Sequence, residues 1–153
     1  MFNIAFVCHG NICRSPMAEY IFKEMIKVQE LEDKVYVASS ATSYEEIGNP
    51  VYPPAKRMLL QNGISCDDKR AVHFESSDYE KFDIIAVMDD NNIRNLLKII
   101  SDDKDHKVYK LMDFTNEKGD IEDPWYTGNF EKVYEQIKRG CEGLMQYLRR
   151  KGI

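Results

Sequence analysis

The chain has 153 residues, 43% of them hydrophobic and 31% charged, which suits one domain over 1–153 with a core that needs no metal or disulfide staples. A net charge of −5 argues against a general nucleic-acid binder, and no apolar run approaches the roughly 18 residues of a membrane span. The N-terminal MFNIAFVCHG has no basic region or small-residue cleavage site, and Cys8, Cys13, Cys66 and Cys141 follow no disulfide spacing. A cytoplasmic protein with free thiols is therefore expected. His9, His73 and His106 stand far apart and pair with no cysteine at ligand spacing, so no metal site is expected.

FNIAFV (2–7) is a short apolar run of the kind that forms a strand buried on both faces. Residues 16–30 then place Met17, Ala18, Ile21, Phe22, Met25 and Ile26 on one helical face. KVYVAS (34–39) predicts a second strand, and PPAKRMLLQNG (53–63) a helix with prolines at its start and Gly63 past its end. SSDYEKF predicts a capped turn into the strand FDIIAVM (82–88), after which Asp89 or Asp90 caps a helix through Ile100. KVYKLM (107–112) is a fourth strand. Residues 113–129 form a long loop, a length that usually signals function or disorder. Phe130, Val133, Tyr134, Ile137, Cys141, Leu144, Met145 and Leu148 then mark an amphipathic helix capped by Asn129. This alternation predicts a three-layer α/β fold, a four-stranded parallel sheet flanked by helices on both faces, with ligands at the carboxyl ends of the strands.

One such end carries CHGNICRSP (8–16). If the loop wraps a phosphate, the backbone N–H groups of residues 9–15 form an anion nest, and Gly10 supplies the backbone angles that wrapping needs. Ser15 caps the following helix, Pro16 suits its first turn, and the helix N-terminus adds partial positive charge. Arg14 offers a planar fork for two phosphate oxygens. Cys8, in this positive field, is expected to ionise readily and to be a nucleophile facing the phosphoryl group. The bare Cys-x5-Arg spacing is a weak signal; a buried strand before it and a Ser-Pro helix start after it make the signal strong.

The loop resembles the signature of the low-molecular-weight protein tyrosine phosphatases, and the resemblance continues through SSATS (39–43), IGNP (47–50), FDIIAVMDDNN (82–92) and EDPWY (122–126). It implies Cys8 as nucleophile, Arg14 as phosphate ligand and Asp123 as general acid. His9, Gly10, Asn11, Ile12, Cys13, Arg14 and Ser15 would surround the phosphate. It also implies that Asn11 bonds within the loop and toward Ser39, and that Ser15 donates to the Cys8 thiolate. Family members with both cysteines of the loop are regarded as redox-regulated through a disulfide, which here would join Cys8 and Cys13. Asp123 suits the acid role by itself, since a departing phenolate needs a proton, Pro124 stiffens the loop, and a like charge on Glu122 would keep the acid protonated longer.

Two positions depart from the family pattern. Lys69 stands where many members have a histidine, and Glu45 follows Tyr44 where an aromatic wall is usual. Ile12, Tyr44, Trp125 and Tyr126 are the expected cleft walls. Trp125 and Tyr126 suit a flat phenyl ring, and Ile12 leans toward phosphotyrosine, because bacterial relatives acting on phosphoarginine tend to carry threonine there. Phosphotyrosine proteins are the expected substrates and phosphate or vanadate the expected ligands. No metal or organic cofactor, nucleic acid or membrane is expected, and the chain is expected to be a monomer or weak dimer. The rival readings are a phosphoarginine phosphatase, an arsenate reductase on the same scaffold, and a phosphocarrier domain.

Overall fold

The computed structural model describes residues 1–66 and 68–153. Along β1 (Phe2–Cys8), Ile4, Phe6 and Cys8 enter one core while Ala5 and Val7 enter another, the period of two expected of a strand covered on both faces. α1 (Arg14–Val28) leads to β2 (Val35–Ala41), which pairs parallel to β1 from Phe2 opposite Val35 to Cys8 opposite Ala41. α2 (Pro53–Gln61) starts on its two prolines, and a 3-10 helix over Ser76–Lys81 precedes β3 (Ile84–Val87). α3 (Asp90–Ile100), β4 (Val108–Lys110), a 3-10 helix over Leu111–Phe114, the short α4 (Pro124–Thr127) and the long α5 (Phe130–Arg150) complete the chain.

Among the described residues the strands form a four-stranded parallel sheet in the order β2-β1-β3-β4, as the alternation predicts. Side chains of α1, α2 and α5 fill one face, and those of α3 and the Ser76–Lys81 turn fill the other. No helix among the described residues is long and apolar enough to cross a membrane. β1 lies between β2 and β3, so the chain leaves it in opposite directions, and a crevice opens beyond the carboxyl ends of β1 and β3. Cys8 ends one of these strands, and Met88 and Asp89 follow the other.

Local details depart from the sequence expectations for physical reasons. The fourth strand stops at Lys110 because Leu111 and Met112 turn down into the core beneath α5. Gly140 and Gly143 allow that approach, since a Cβ at either would overlap Leu111 or the Phe114 carbonyl. Asp89, not Asp90, caps α3, accepting from the Asn92 amide at 2.7 Å. Asn129 occupies the N-cap position of α5 without capping it, because its side-chain amide donates to Glu122 at 2.9 Å.

Candidate active site

The loop after β1 turns its carbonyls outward. The Cys8, His9 and Ile12 carbonyls accept from the Thr42, Ser43 and Tyr52 amides at 2.9, 3.0 and 2.9 Å, and that of Cys13 accepts from Met17 at 3.2 Å. In a planar trans peptide the next N–H points the opposite way. The amides of His9, Gly10, Cys13 and Arg14 are thereby directed to the inside of the turn, where the first turn of α1 adds its own positive end. The wrap does not depend on the glycine that composition favours: Gly10 is not among the residues with positive φ, whereas Asn11 is, at 58°. Asparagine tolerates that conformation, and three hydrogen bonds hold it there.

Asn11 is 1% exposed. Its Nδ2 donates to Ser15 Oγ at 2.7 Å and to Ser39 Oγ at 2.9 Å, and its Oδ1 accepts from the Val72 amide at 3.1 Å. Ser15 lies inside the first turn of α1 instead of capping it, since the N-cap position is Cys13 with no side-chain cap. Its hydroxyl is freed for the site and stands 3.0 Å from Cys8 Sγ. The Asn11–Ser39 and Ser15–Cys8 contacts expected from the resemblance are both present. Cys8 and Cys13 are buried and unbridged. Burial, and then the neighbouring Cys8 sulfur, push the Cys13 thiol well up.

Arg14 is buried and reaches across to three groups on two other segments. Its Nη1 donates to Asp89 Oδ2 at 2.7 Å and to the Ile121 carbonyl at 2.9 Å, and its Nη2 to Asp123 Oδ2 at 3.4 Å. Burial by itself lowers the guanidinium, but the Cys8 sulfur, the bond to Asp89 and the Asp123 charge carry it above its ordinary value. Asp89, the cap of α3, is the partner that sequence reasoning missed. Asp123 precedes Pro124 and caps α4, accepting from the Trp125 amide at 3.0 Å. Its loop is tied down on one side by the Ile121 amide, which donates to the Met88 carbonyl at 2.9 Å. On the other side Glu122 pairs with Lys132 at 2.7 Å. Bonds from Lys132, Thr127 and Asn129 bring the Glu122 carboxyl down to about 2. Its charge thus has partners of its own, where the sequence suggests that it acts on Asp123.

These groups line one cleft: Cys8 to Arg14 at its base, Asp123, Trp125 and Tyr126 on one wall, and Glu45 and Glu46 on the rim. Ile12 is buried within the loop, and Trp125 also leans on Tyr52 with ring centroids 4.7 Å apart. Tyr44 is not a wall of this cleft. It stacks on His73 with centroids 3.7 Å apart and lines an adjoining groove. His9 faces Glu45 at 3.1 Å at the loop edge. Cys141 is core packing, fully buried with its thiol donating to the Ala18 carbonyl at 3.7 Å.

The site can be set beside known proteins. The family model described as low molecular weight phosphotyrosine protein phosphatase matches residues 3–152. The low molecular weight protein-tyrosine-phosphatase YfkJ of Bacillus subtilis is 39% identical over 147 residues, 95% of this chain and 94% of that one. Its crystal structure superposes with a TM-score of 0.95, covering 99% of this chain and 96% of that one. PtpA of Staphylococcus aureus, a protein of the same description, is 38% identical over 149 residues, 97% of this chain and 94% of its own. A Drosophila arginine phosphatase is also similar, with a TM-score of 0.85 and 29% identity, covering 95% of this chain and 96% of that one. With a match that runs almost end to end and a strand-loop-helix cradle of the same kind, the chain belongs to the low molecular weight protein-tyrosine-phosphatase family.

Proposed function

We propose that the chain hydrolyses phosphotyrosine through a phosphocysteine on Cys8, with Arg14 and the loop amides holding the phosphoryl oxygens and Asp123 as general acid and base. The observation that carries this reading is the meeting of Cys8, Arg14 and Asp123 in one cleft whose base is lined by inward-facing amides. In the first step the sulfur attacks phosphorus, the S–P bond forms as the P–O bond breaks, and the Asp123 proton passes to the leaving phenolate. In the second, water attacks phosphorus, Asp123 takes its proton, and the S–P bond breaks to release inorganic phosphate and the thiolate. The Ser15 hydroxyl donates to that sulfur, with Asn11 and Ser39 holding Ser15 in place. Arg14 and the amides supply the positive charge that the three equatorial oxygens require, in place before the reaction begins.

Phosphate release from phosphotyrosine, phosphoserine and phosphoarginine, measured side by side, tests the substrate. Phosphotyrosine is expected to lead by roughly ten-fold or more in kcat/KM, because Ile12, Trp125 and Tyr126 offer apolar and aromatic surface to a flat ring. Phosphoarginine is the informative competitor, since Glu45 and Glu46 place negative charge on the rim where a guanidinium would be welcome. Comparable specificity constants for the two would overturn the phosphotyrosine assignment. Stoichiometric phosphorylation of the protein without release of free phosphate would make it a phosphocarrier.

A reducing, cytoplasmic setting belongs to the same proposal, because Cys8 must stay reduced to act as a nucleophile. Mild peroxide is expected to inactivate the protein reversibly. Peroxide oxidises Cys8 to a sulfenic acid, and the Cys13 thiol attacks its sulfur, so that the S–S bond forms as the S–O bond breaks and the Cys13 proton leaves with the hydroxyl as water. Mass spectrometry of treated protein digested without reductant should recover a Cys8–Cys13 peptide pair. Cys8 found only as sulfinic or sulfonic acid, with Cys13 still a thiol, would refute the pairing.

A further inference from the structure

The hydrogen-bonded chain that starts at Cys8 does not end at Ser39. The Asn11 amide donates to Ser39 Oγ, so the Ser39 proton must go elsewhere. It goes to Glu19 Oε1 at 2.5 Å. Glu19 is 4% exposed; this carboxylate fixes the Ser39 proton, while the Val72 amide on Oδ1 fixes Asn11 as the donor to both serines. With Ser39 donating to Glu19 and Asn11 donating to both serines, Ser15 is left to offer its own proton to the sulfur. A buried carboxylate in that place also creates an opposing effect. Its negative charge, in a poorly screened interior, disfavours a second negative charge on Cys8.

Two lysines answer it in different ways. Lys23 pairs with Oε2 at 2.5 Å, but its side chain is 44% exposed and largely screened by solvent. Lys69 stands 3.6 Å from Oε1, the oxygen that accepts from Ser39, with its side chain only 11% exposed. Its ammonium also donates to the Ser39 carbonyl at 2.9 Å. Lys69 is thus held against both the backbone of Ser39, the last residue of the hydrogen-bonded chain, and the charge that takes its proton. Burial lowers its ammonium below the ordinary lysine range, and Glu19, and to a smaller degree Cys8, oppose that.

We propose that Lys69 is a positioning residue for the nucleophile, its buried charge cancelling at Cys8 the field of Glu19, the carboxylate that holds Ser39 at the far end of the chain. This rests on the reading of Cys8 as the nucleophile. The other charged or titratable groups of the cleft that holds Cys8 are His9, Cys13, Arg14, Glu45, Glu46, Asp123 and Tyr126, with Asp89 on Arg14; Lys23 joins Glu19 and Cys8 around Lys69, and Tyr20 neighbours Glu19. Of these only Glu19 is altered in the variants below.

The test follows iodoacetamide alkylation of the Cys8 peptide against pH, beside hydrolysis of an aryl phosphate over the same range. Lys69→Met is expected to raise the alkylation midpoint by about 0.5 to 1 pH unit and to carry the acid limb of kcat/KM with it. Lys69→Arg, which keeps the charge, should hold the midpoint near that of the parent. The double variant Glu19→Gln, Lys69→Met removes both charges but leaves an oxygen for Ser39, and should bring the midpoint back. A purely structural lesion would not be mended by a second deletion. Glu19→Gln alone leaves Lys69 uncancelled, so its midpoint should fall below the parent's, and this arm decides the matter if Lys69→Met does not fold. Midpoints unmoved in the folded single variants would overturn the proposal. Midpoints that shift as expected while the hydrolysis profile stays put would support the role of Lys69 and overturn the assignment of Cys8 as nucleophile.

Discussion

Replacing Cys8 with serine is expected to lower turnover by about 10⁴-fold or more while phosphate or vanadate still binds. On the proposed mechanism the two capacities rest on different atoms. Binding depends on the amides that the outward carbonyls of Cys8, His9, Ile12 and Cys13 leave facing inward, and on Arg14; none of these is a side-chain atom of residue 8. Attack depends on the sulfur nucleophile, which a serine hydroxyl replaces poorly. Arg14→Ala should behave differently, losing binding and rate together, and it should also cost about 3 kcal/mol of stability, because Asp89 and Asp123 lose a buried partner. Equilibrium binding of vanadate, read beside steady-state hydrolysis, separates these outcomes. Appreciable hydrolysis by Cys8→Ser would exclude a covalent intermediate on sulfur.

Asp123→Asn should slow hydrolysis by roughly 10²- to 10⁴-fold for substrates whose phenol is a weak acid, the usual scale of general acid catalysis. Asparagine is a good helix cap, so its side-chain oxygen can still accept from the Trp125 amide and keep α4 in place. The variant therefore removes a transferable proton with little else. Across a series of aryl phosphates the loss should shrink as the leaving phenol becomes more acidic, because a stable phenolate departs unaided. A loss of the same size for every leaving group would take Asp123 out of the acid role and leave it as a structural cap.

What the sequence made legible were features whose cause is local. The apolar run of β1, the face of α1 and the stripe of α5 all report a period and a partner face, and the loop motif lies between two of them. The Asn11–Ser39 and Ser15–Cys8 contacts followed from a resemblance of the whole loop. Features set by which strands become neighbours were not legible. Asp89 meets Arg14 because β3 lies beside β1 in the sheet, a fact that neither segment encodes alone, so in the sequence Asp89 looked like a helix cap and nothing more. Tyr44, expected as a cleft wall, turned to His73, and Glu122, expected to act on Asp123, pairs with Lys132, for the same kind of reason: each partner lies far along the chain. Gly10 shows a different limit. Composition pointed to the glycine as the special backbone residue, but an asparagine with three fixed hydrogen bonds could take the left-handed turn instead.

The backbone of Ile121 joins parts of the site that lie far apart in the chain. Its amide is fastened to the end of β3, its carbonyl to the guanidinium of Arg14, and its side chain is fully buried, two residues before Asp123. Asp123 and Arg14, the proposed acid and anion-binding cation, are therefore mounted on a common bracket instead of on separate hinges. A displacement of one is transmitted to the other, and both are referred to the same strand that flanks the nucleophile. On the proposed reading a substrate arriving here meets groups already tied to one another, so little of its binding energy is spent on assembling them. The same coupling narrows the routes open to variation: changes near Ile121 alter anion affinity and proton delivery together, and the two properties would have to evolve as one.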